Sequence, residues 1–204
     1  MSEAVPQRID RSLRDRQREL TRGLIIDALT QIILRDGVSE FSMQSVADEA
    51  QCSLRTLYRY FPSRESLLEG LDEEMDAFLK SCFDRLPSAA NDDLAVLAER
   101  MPPLLVERRD LARAWVAAVP HSRVRETVGG RIRALVAATI DRSAPSLSED
   151  ERARAFVALR LIANSRSWLT VAEQLPARDA GVVMAWMVRV LLADLANGGG
   201  PGIE

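Results

Sequence analysis

The chain has 204 residues, 47% of them hydrophobic and 28% charged, with a formal net charge of −3. That length sustains one large domain, or a small one joined to a medium one, with a real hydrophobic core. The slight acidity excludes a protein that binds nucleic acid by overall charge, so any such contact must come from a local patch and depend strongly on salt.

Charge is spread evenly enough to make that patch necessary. Residues 1–66 hold ten arginines and ten acids, while 67–204 hold seventeen basic and twenty acidic side chains. Cys52 and Cys82 form no CxxC or Cys/His pattern, which sets aside a zinc site and a disulfide framework and fits a reducing cytosol. No apolar run reaches the roughly 18 residues that span a bilayer. The longest candidate, from Val182, is interrupted by Arg189 and Asp194, and the N-terminus lacks the apolar core of a signal peptide. A cytoplasmic protein without membrane contact is expected. With no HExxH, no phosphate-binding glycine loop and one histidine, the chain offers no catalytic set, no metal site and no call for a cofactor.

Residues 1–18 carry Arg8, Arg11, Arg14, Arg16 and Arg18 among Asp10 and Asp15. Low hydrophobicity predicts a flexible arm or a frayed helical extension. An arginine arm entering a minor groove is the functional reading, diluted by the acids. From about Thr21 the chain becomes helical, with Ile25, Ala28, Leu29 and Ile32 on one face and Gly37 as a C-terminal stop.

Two short helices follow. Met43, Val46, Ala47 and Ala50 fall at i, i+3, i+4, i+7, and Leu54, Leu57 and Phe61 repeat the spacing after a short break. Ser42 and Ser53 precede the two runs as N-caps. From Ala50 through Arg64 there is no acid, and Arg55, Arg59 and Arg64 give the interval a charge of +3 beside Tyr58 and Tyr60. The pattern is a helix-turn-helix. Ser63, after Pro62, is placed to cap a long fourth helix with Leu68, Leu71, Met75, Phe78 and Cys82 on one face, ending near Pro87.

The run from Ser53 to Leu68, SLRTLYRYFPSRESLL, resembles the DNA-binding segment of the TetR (tetracycline-repressor-like) transcription regulators. The resemblance extends from about Thr21 to about Leu71, roughly a quarter of the chain. One position departs from the pattern: Gln51 stands where the family usually has the turn glycine, with Cys52 in place of a small aliphatic residue. A non-glycine residue in a left-handed turn costs about 1 kcal/mol. Either Gln51 absorbs that strain or the turn is of another type.

A helix-turn-helix lays its second helix in the major groove, and a dimer reads two half-sites about 34 Å apart. Gln44, in the first turn of the first short helix, is suited to an adenine edge, and Arg55 to bidentate binding of guanine. Thr56 can contact phosphate or a thymine methyl; Ser42, Ser53, Arg59 and Tyr60 complete the candidate DNA-contacting set. The resemblance adds backbone contacts from Tyr58 and Arg64.

Beyond Pro87 everything to about Asn197 reads as helix. Leu94, Leu97 and Met101 lead into Pro102-Pro103, which must kink or end that helix. Leu111 to Val119 is a short apolar helix stopped by Pro120, and Val124 to Ser143 keeps a helical spacing across Gly129-Gly130. Ser148 to Glu151 is a capping box opening a long helix to about Glu173, and after Pro176 a last helix runs to Asn197. Phe156, Leu159, Ile162 and Leu169 on one of these, with Val183, Met187, Val190 and Leu191 on the other, form wide apolar faces that need a partner. A homodimer through these last two helices is the expectation, as the resemblance also implies.

The expected fold is all-α: an N-terminal three-helix helix-turn-helix DNA-binding domain, joined by the long fourth helix to a larger helical ligand-binding and dimerisation domain. The segments are an arm at 1–18, the DNA-binding domain at 19–66, the effector and dimerisation domain at 67–197, and a disordered tail at 198–204. The resemblance implies a repressor released from a palindromic operator by a small, largely apolar effector. Met101, Trp115, His121, Asn164, Arg166, Trp168 and Met187 are the candidate effector contacts, since Trp and Met offer apolar surface and the others polar anchors. The alternative is a helical regulator or protein-interaction module with no small-molecule ligand.

Overall fold

A computed structural model describes residues 13–91, 93–118 and 127–199, and every regular element among them is helical. The α-helices are α1 (Leu13–Asp36), α2 (Met43–Glu49), α3 (Leu54–Tyr60), α4 (Arg64–Asp84), α5 (Leu94–Val106), α6 (Arg109–Ala118), α7 (Thr127–Ser143), α8 (Glu149–Ile162), α9 (Ser165–Gln174) and α10 (Ala177–Ala196). The chain forms two compact units, Met1–Leu67 and Leu68–Glu204, with the division inside the first turns of α4.

In the first unit α1 supplies the support. Ile25, Ile26, Leu29, Ile32 and Ile33 are buried on it, against Phe41, Val46, Ala47, Leu57 and Phe61 from the following segments. Of the two forms expected for the N-terminal arm, residues 13–18 take the helical one, as the exposed first turns of α1. The rest of the arm, with Arg8 and Arg11, lies outside the described residues. Gly37 ends α1 as its sequence position indicates: its φ is +94°, and its N–H returns to the Ile33 carbonyl at 3.0 Å.

In the second unit α5 and α10 pack most extensively, and α9 lies against both. Leu94, Leu97, Ala98, Met101 and Leu105 of α5 are buried, as are Ala180, Gly181, Met184, Ala185 and Val188 of α10. The small residues on α10 let the two backbones approach. Cys52 and Cys82 are free thiols, and burial pushes both up from their ordinary pKa. No helix among the described residues is long and apolar enough to cross a membrane.

Of the two outcomes expected at Pro102-Pro103, a kink or an end, the end is excluded, since α5 continues helical to Val106. One expectation is corrected. The helix expected from Ser148 to about Glu173 is instead two helices, α8 and α9, broken at Ala163-Asn164. The break has a local cause: Asn164 adopts extended backbone (φ −148°, ψ 156°) and its side chain caps α9 by accepting from the Ser167 N–H at 3.0 Å. The capping box itself is present, with Glu151 accepting from the Ser148 N–H at 2.8 Å.

Candidate functional site

The helix-turn-helix is built from three serine caps and one strained turn. Ser42 caps α2 in a reciprocal box with Ser45, and Ser53 caps α3 by accepting from the Thr56 N–H at 3.1 Å. Ser63 does the same for α4, accepting from the Ser66 N–H at 3.1 Å while its own N–H donates to Ser66 Oγ at 3.0 Å. Between α2 and α3, the Cys52 N–H reaches back to the Ala47 carbonyl at 2.9 Å and the Gln51 N–H to Asp48 at 3.1 Å. Those two bonds are the Schellman pattern, which needs a left-handed residue after the helix end. Gln51 takes that role, with φ +51°, the sole non-glycine residue of positive φ among those described. The turn therefore keeps the glycine-type geometry without the glycine.

This turn and the caps aim α3 outward. Leu57 is fully buried and anchors the helix; Arg55 and Arg59 are exposed, and Tyr58 is 46% exposed. Arg55 makes no hydrogen bond or ion pair to a described residue, so its fork of donors is available. Arg59 lies 5.3 Å from the ring centroid of the half-buried Tyr60. The Ser53 and Thr56 hydroxyls are 2.8 Å apart and paired with each other, so a phosphate would have to share them. Gln44 is exposed, but its amide donates to Asp48 Oδ1 at 2.8 Å, and an adenine edge would have to displace that bond.

Arg64 departs from the expectation of a free charge for phosphate. Its guanidinium turns inward, donating to the carbonyls of Phe41 at 2.7 Å and Ser39 at 3.2 Å and also to that of Val38, with Cζ 3.9 Å over the Phe41 ring. It clamps the loop before α2 to the start of α4. The sequence carries no signal for this, because the acceptors are backbone atoms more than twenty residues away.

A second site lies in the larger unit. A cavity of about 680 Å³ is bounded by residues of α4, α6, α7, α8 and α9, including Leu79, Trp115, Ile132 and Phe156. Of the seven candidate effector residues, Trp115, Asn164 and Arg166 line it. Trp115 is held by its indole N–H donating to Asp72 Oδ1 at 2.9 Å, and Arg166 by donating to the Val116 carbonyl at 3.2 Å. Asn164 is occupied as a cap, its amide donating to the Arg160 and Leu161 carbonyls. Met101 and Trp168 are fully buried in the core away from the cavity wall, and Met187 is on the exposed side of α10. His121 lies outside the described residues. Sequence reasoning missed Leu79, Ile132, Arg133, Phe156 and Arg160, which come from three separate helices and share no motif.

A third surface is apolar and exposed. Val182, Trp186 and Val190 recur every four residues on α10, and Val157 and Leu161, which also border the cavity, do so on α8. The face expected on the penultimate helix is corrected: Leu159, Ile162 and Leu169 are buried inside the unit, and Val157 and Leu161 are the residues left outward.

Comparison with known proteins places these features. Residues 25–71 match the family described as bacterial regulatory proteins, tetR family. Over 187 residues the chain is 29% identical to the HTH-type transcriptional repressor KstR of Mycobacterium tuberculosis, covering 87% of this chain and 83% of that one. Over 83 residues it is 29% identical to the HTH-type nicotine-responsive transcriptional repressor HdnoR of Paenarthrobacter nicotinovorans, covering 41% of this chain and 42% of that one. Among solved structures, a transcriptional regulator from Pseudomonas aeruginosa superposes with a TM-score of 0.62 at 18% identity, covering 89% of this chain and 94% of that one. GusR of Salmonella enterica gives 0.54 at 21% identity, over 87% and 96% of the two chains. At these identities the structural likeness shows the fold.

Proposed function

Because the chain belongs to the TetR family of transcriptional regulators, dimeric proteins that bind DNA, we propose that it is a repressor released from its operator by a small, largely apolar effector. The observation that carries the effector half of this reading is the cavity of about 680 Å³ in the second unit. Its size falls in the range of small-molecule sites, and Trp115, Ile132 and Phe156 supply an apolar wall. Two relatives named as repressors, one of them nicotine-responsive, support the direction of control.

In the DNA-bound dimer, α3 enters the major groove, Arg55 reads guanine, and Tyr58 and Arg59 meet the phosphate backbone. Ser42, Gln44, Ser53, Thr56 and Tyr60 line the same surface. Leu79 of the cavity wall belongs to α4, the helix that begins at Arg64 and its clamp on the 38–41 loop. An effector that contacts Leu79 more favourably in one placement of α4 shifts the population toward that placement, by its differential affinity alone. The two recognition helices then lose register with half-sites one DNA turn apart.

The test is fluorescence anisotropy against the duplex upstream of the protein's own gene and against a pool selected from random sequence, over a range of salt. Specific binding is expected to fall steeply with salt. Arg55→Ala is expected to cost roughly 1–3 kcal/mol and relax the preference at one base pair. Tyr58→Ala is expected to weaken all sequences alike. Absence of any selected sequence above nonspecific affinity at low salt would sink the reading. A ligand-free regulator would bind DNA yet show no thermal shift with small apolar compounds.

A further inference from the structure

The cavity wall is not electrically neutral. Arg133 of α7, Arg160 of α8 and Arg166 of α9 all line it, and no Asp or Glu among the described residues does. Acids outnumber basic residues in the chain as a whole, thirty to twenty-seven, so three arginines and no acid among the described residues of the wall are a local inversion of its composition. Arg166 donates to the Val116 carbonyl and Arg160 Nη1 to the Ala163 carbonyl at 3.1 Å. For Arg166 a neutral carbonyl orients the guanidinium without cancelling its charge, and five N–H donors leave others to spare. Arg133 makes no hydrogen bond or ion pair to a described residue.

Helix stability does not explain this placement. Arg160 sits in the last turn of α8, where the helix dipole favours a cation, but Arg166 occupies the first turn of α9, where the dipole opposes one. The first turn of α9, from Ser165 to Ser167, itself faces the cavity, so its positive end adds to the arginines. A cationic ligand would meet repulsion from Arg133 and Arg166. A polyanion would press charge against Trp115, Ile132 and Phe156.

We propose that the ligand of this cavity is an amphipathic monoanion: a carboxylate head held by Arg133 and Arg166, on an apolar body packed against Leu79, Trp115, Ile132 and Phe156. The proposal rests on the reading of the cavity as the effector site. A carboxylate matches the guanidinium fork in a way that an alcohol does not.

The test is calorimetric titration of the full chain with decanoate, decanol and decylamine, each below its aggregation concentration, for the native protein and for Arg133→Glu and Arg166→Gln. Decanoate is expected to bind roughly tenfold or more tightly than decanol, with decylamine weakest. Arg133→Glu is expected to abolish or invert the preference, and a thermal midpoint equal to that of the native protein shows that the variant is folded. Equal or tighter binding of decanol or decylamine by the native protein overturns the charge assignment and leaves the apolar effector site standing. A preference for decanoate that survives both substitutions overturns it too, because the head would then lie elsewhere. Binding of none of the three removes the effector site itself.

Discussion

Gly181 on α10 lies against the carbonyl oxygen of Glu99 on α5: a Cβ at Gly181 would overlap that oxygen and stand 3.0 Å from its carbon. The reason lies four residues on. Pro102 and Pro103 lack N–H groups, so the Glu99 carbonyl has neither its i+3 nor its i+4 helical donor. A carbonyl freed in this way is accessible to a neighbouring backbone, and a glycine Cα–H is a suitable weak donor. Arg189 and Glu99, with N and O 3.4 Å apart, add an ion pair between the same two helices.

Gly181→Ala is therefore expected to destabilise the protein by about 1–3 kcal/mol, through overpacking against backbone that cannot yield. The urea midpoint measures it. A midpoint equal to that of the native protein would mean that the two helices separate freely, against the packing described.

Gln51→Gly is expected to stabilise by up to about 1 kcal/mol, because the left-handed conformation at φ +51° carries no Cβ penalty for glycine. Gln51→Val should do the opposite, since a β-branched residue fits this region worst. If both leave the thermal midpoint unmoved, the turn relaxes out of the left-handed region in solution.

Arg64→Lys is not expected to be conservative. An ammonium cannot serve three carbonyls and lie flat on the Phe41 ring together, as the guanidinium does. Faster amide exchange in residues 38–41 should accompany weaker DNA binding. Faster exchange with unchanged DNA binding would make the clamp a matter of stability alone.

Trp186→Glu addresses assembly. Trp186 is 60% exposed at the centre of the Val182, Trp186, Val190 stripe, and a charge there is expected to shift sedimentation equilibrium from dimer toward monomer. A dimer that persists with unchanged affinity would place the interface on another face.

Local signals were legible in the sequence and dispersed ones were not. Ser42, Ser53, Ser63 and Ser148 cap helices because a side-chain oxygen acts on an N–H three residues away, and that is written in adjacent letters. Gln51 announced its turn by occupying a glycine's place. Asn164 carried an N-cap signal as well, but it stood inside a continuous apolar periodicity, and the period outweighed the cap. The double proline left a kink or an end open for the converse reason: the rule against proline in helices is local, while the Glu99 carbonyl is accommodated by Gly181 on another helix. Arg64 and the three arginines of the cavity belong to the same class, since what orients or collects them comes from distant parts of the chain.

The chain's three tryptophans occupy three different kinds of place: Trp115 in the cavity wall and bonded to Asp72, Trp168 wholly enclosed in the core, and Trp186 outward on α10. Each senses a different event through its own emission. Quenching or a blue shift from Trp115 would follow occupation of the cavity, a red shift from Trp168 would follow loss of the core, and a blue shift from Trp186 would follow burial between subunits. Two Trp→Phe replacements at a time would leave one reporter in place, so that binding, unfolding and assembly become separable optical signals without an added label.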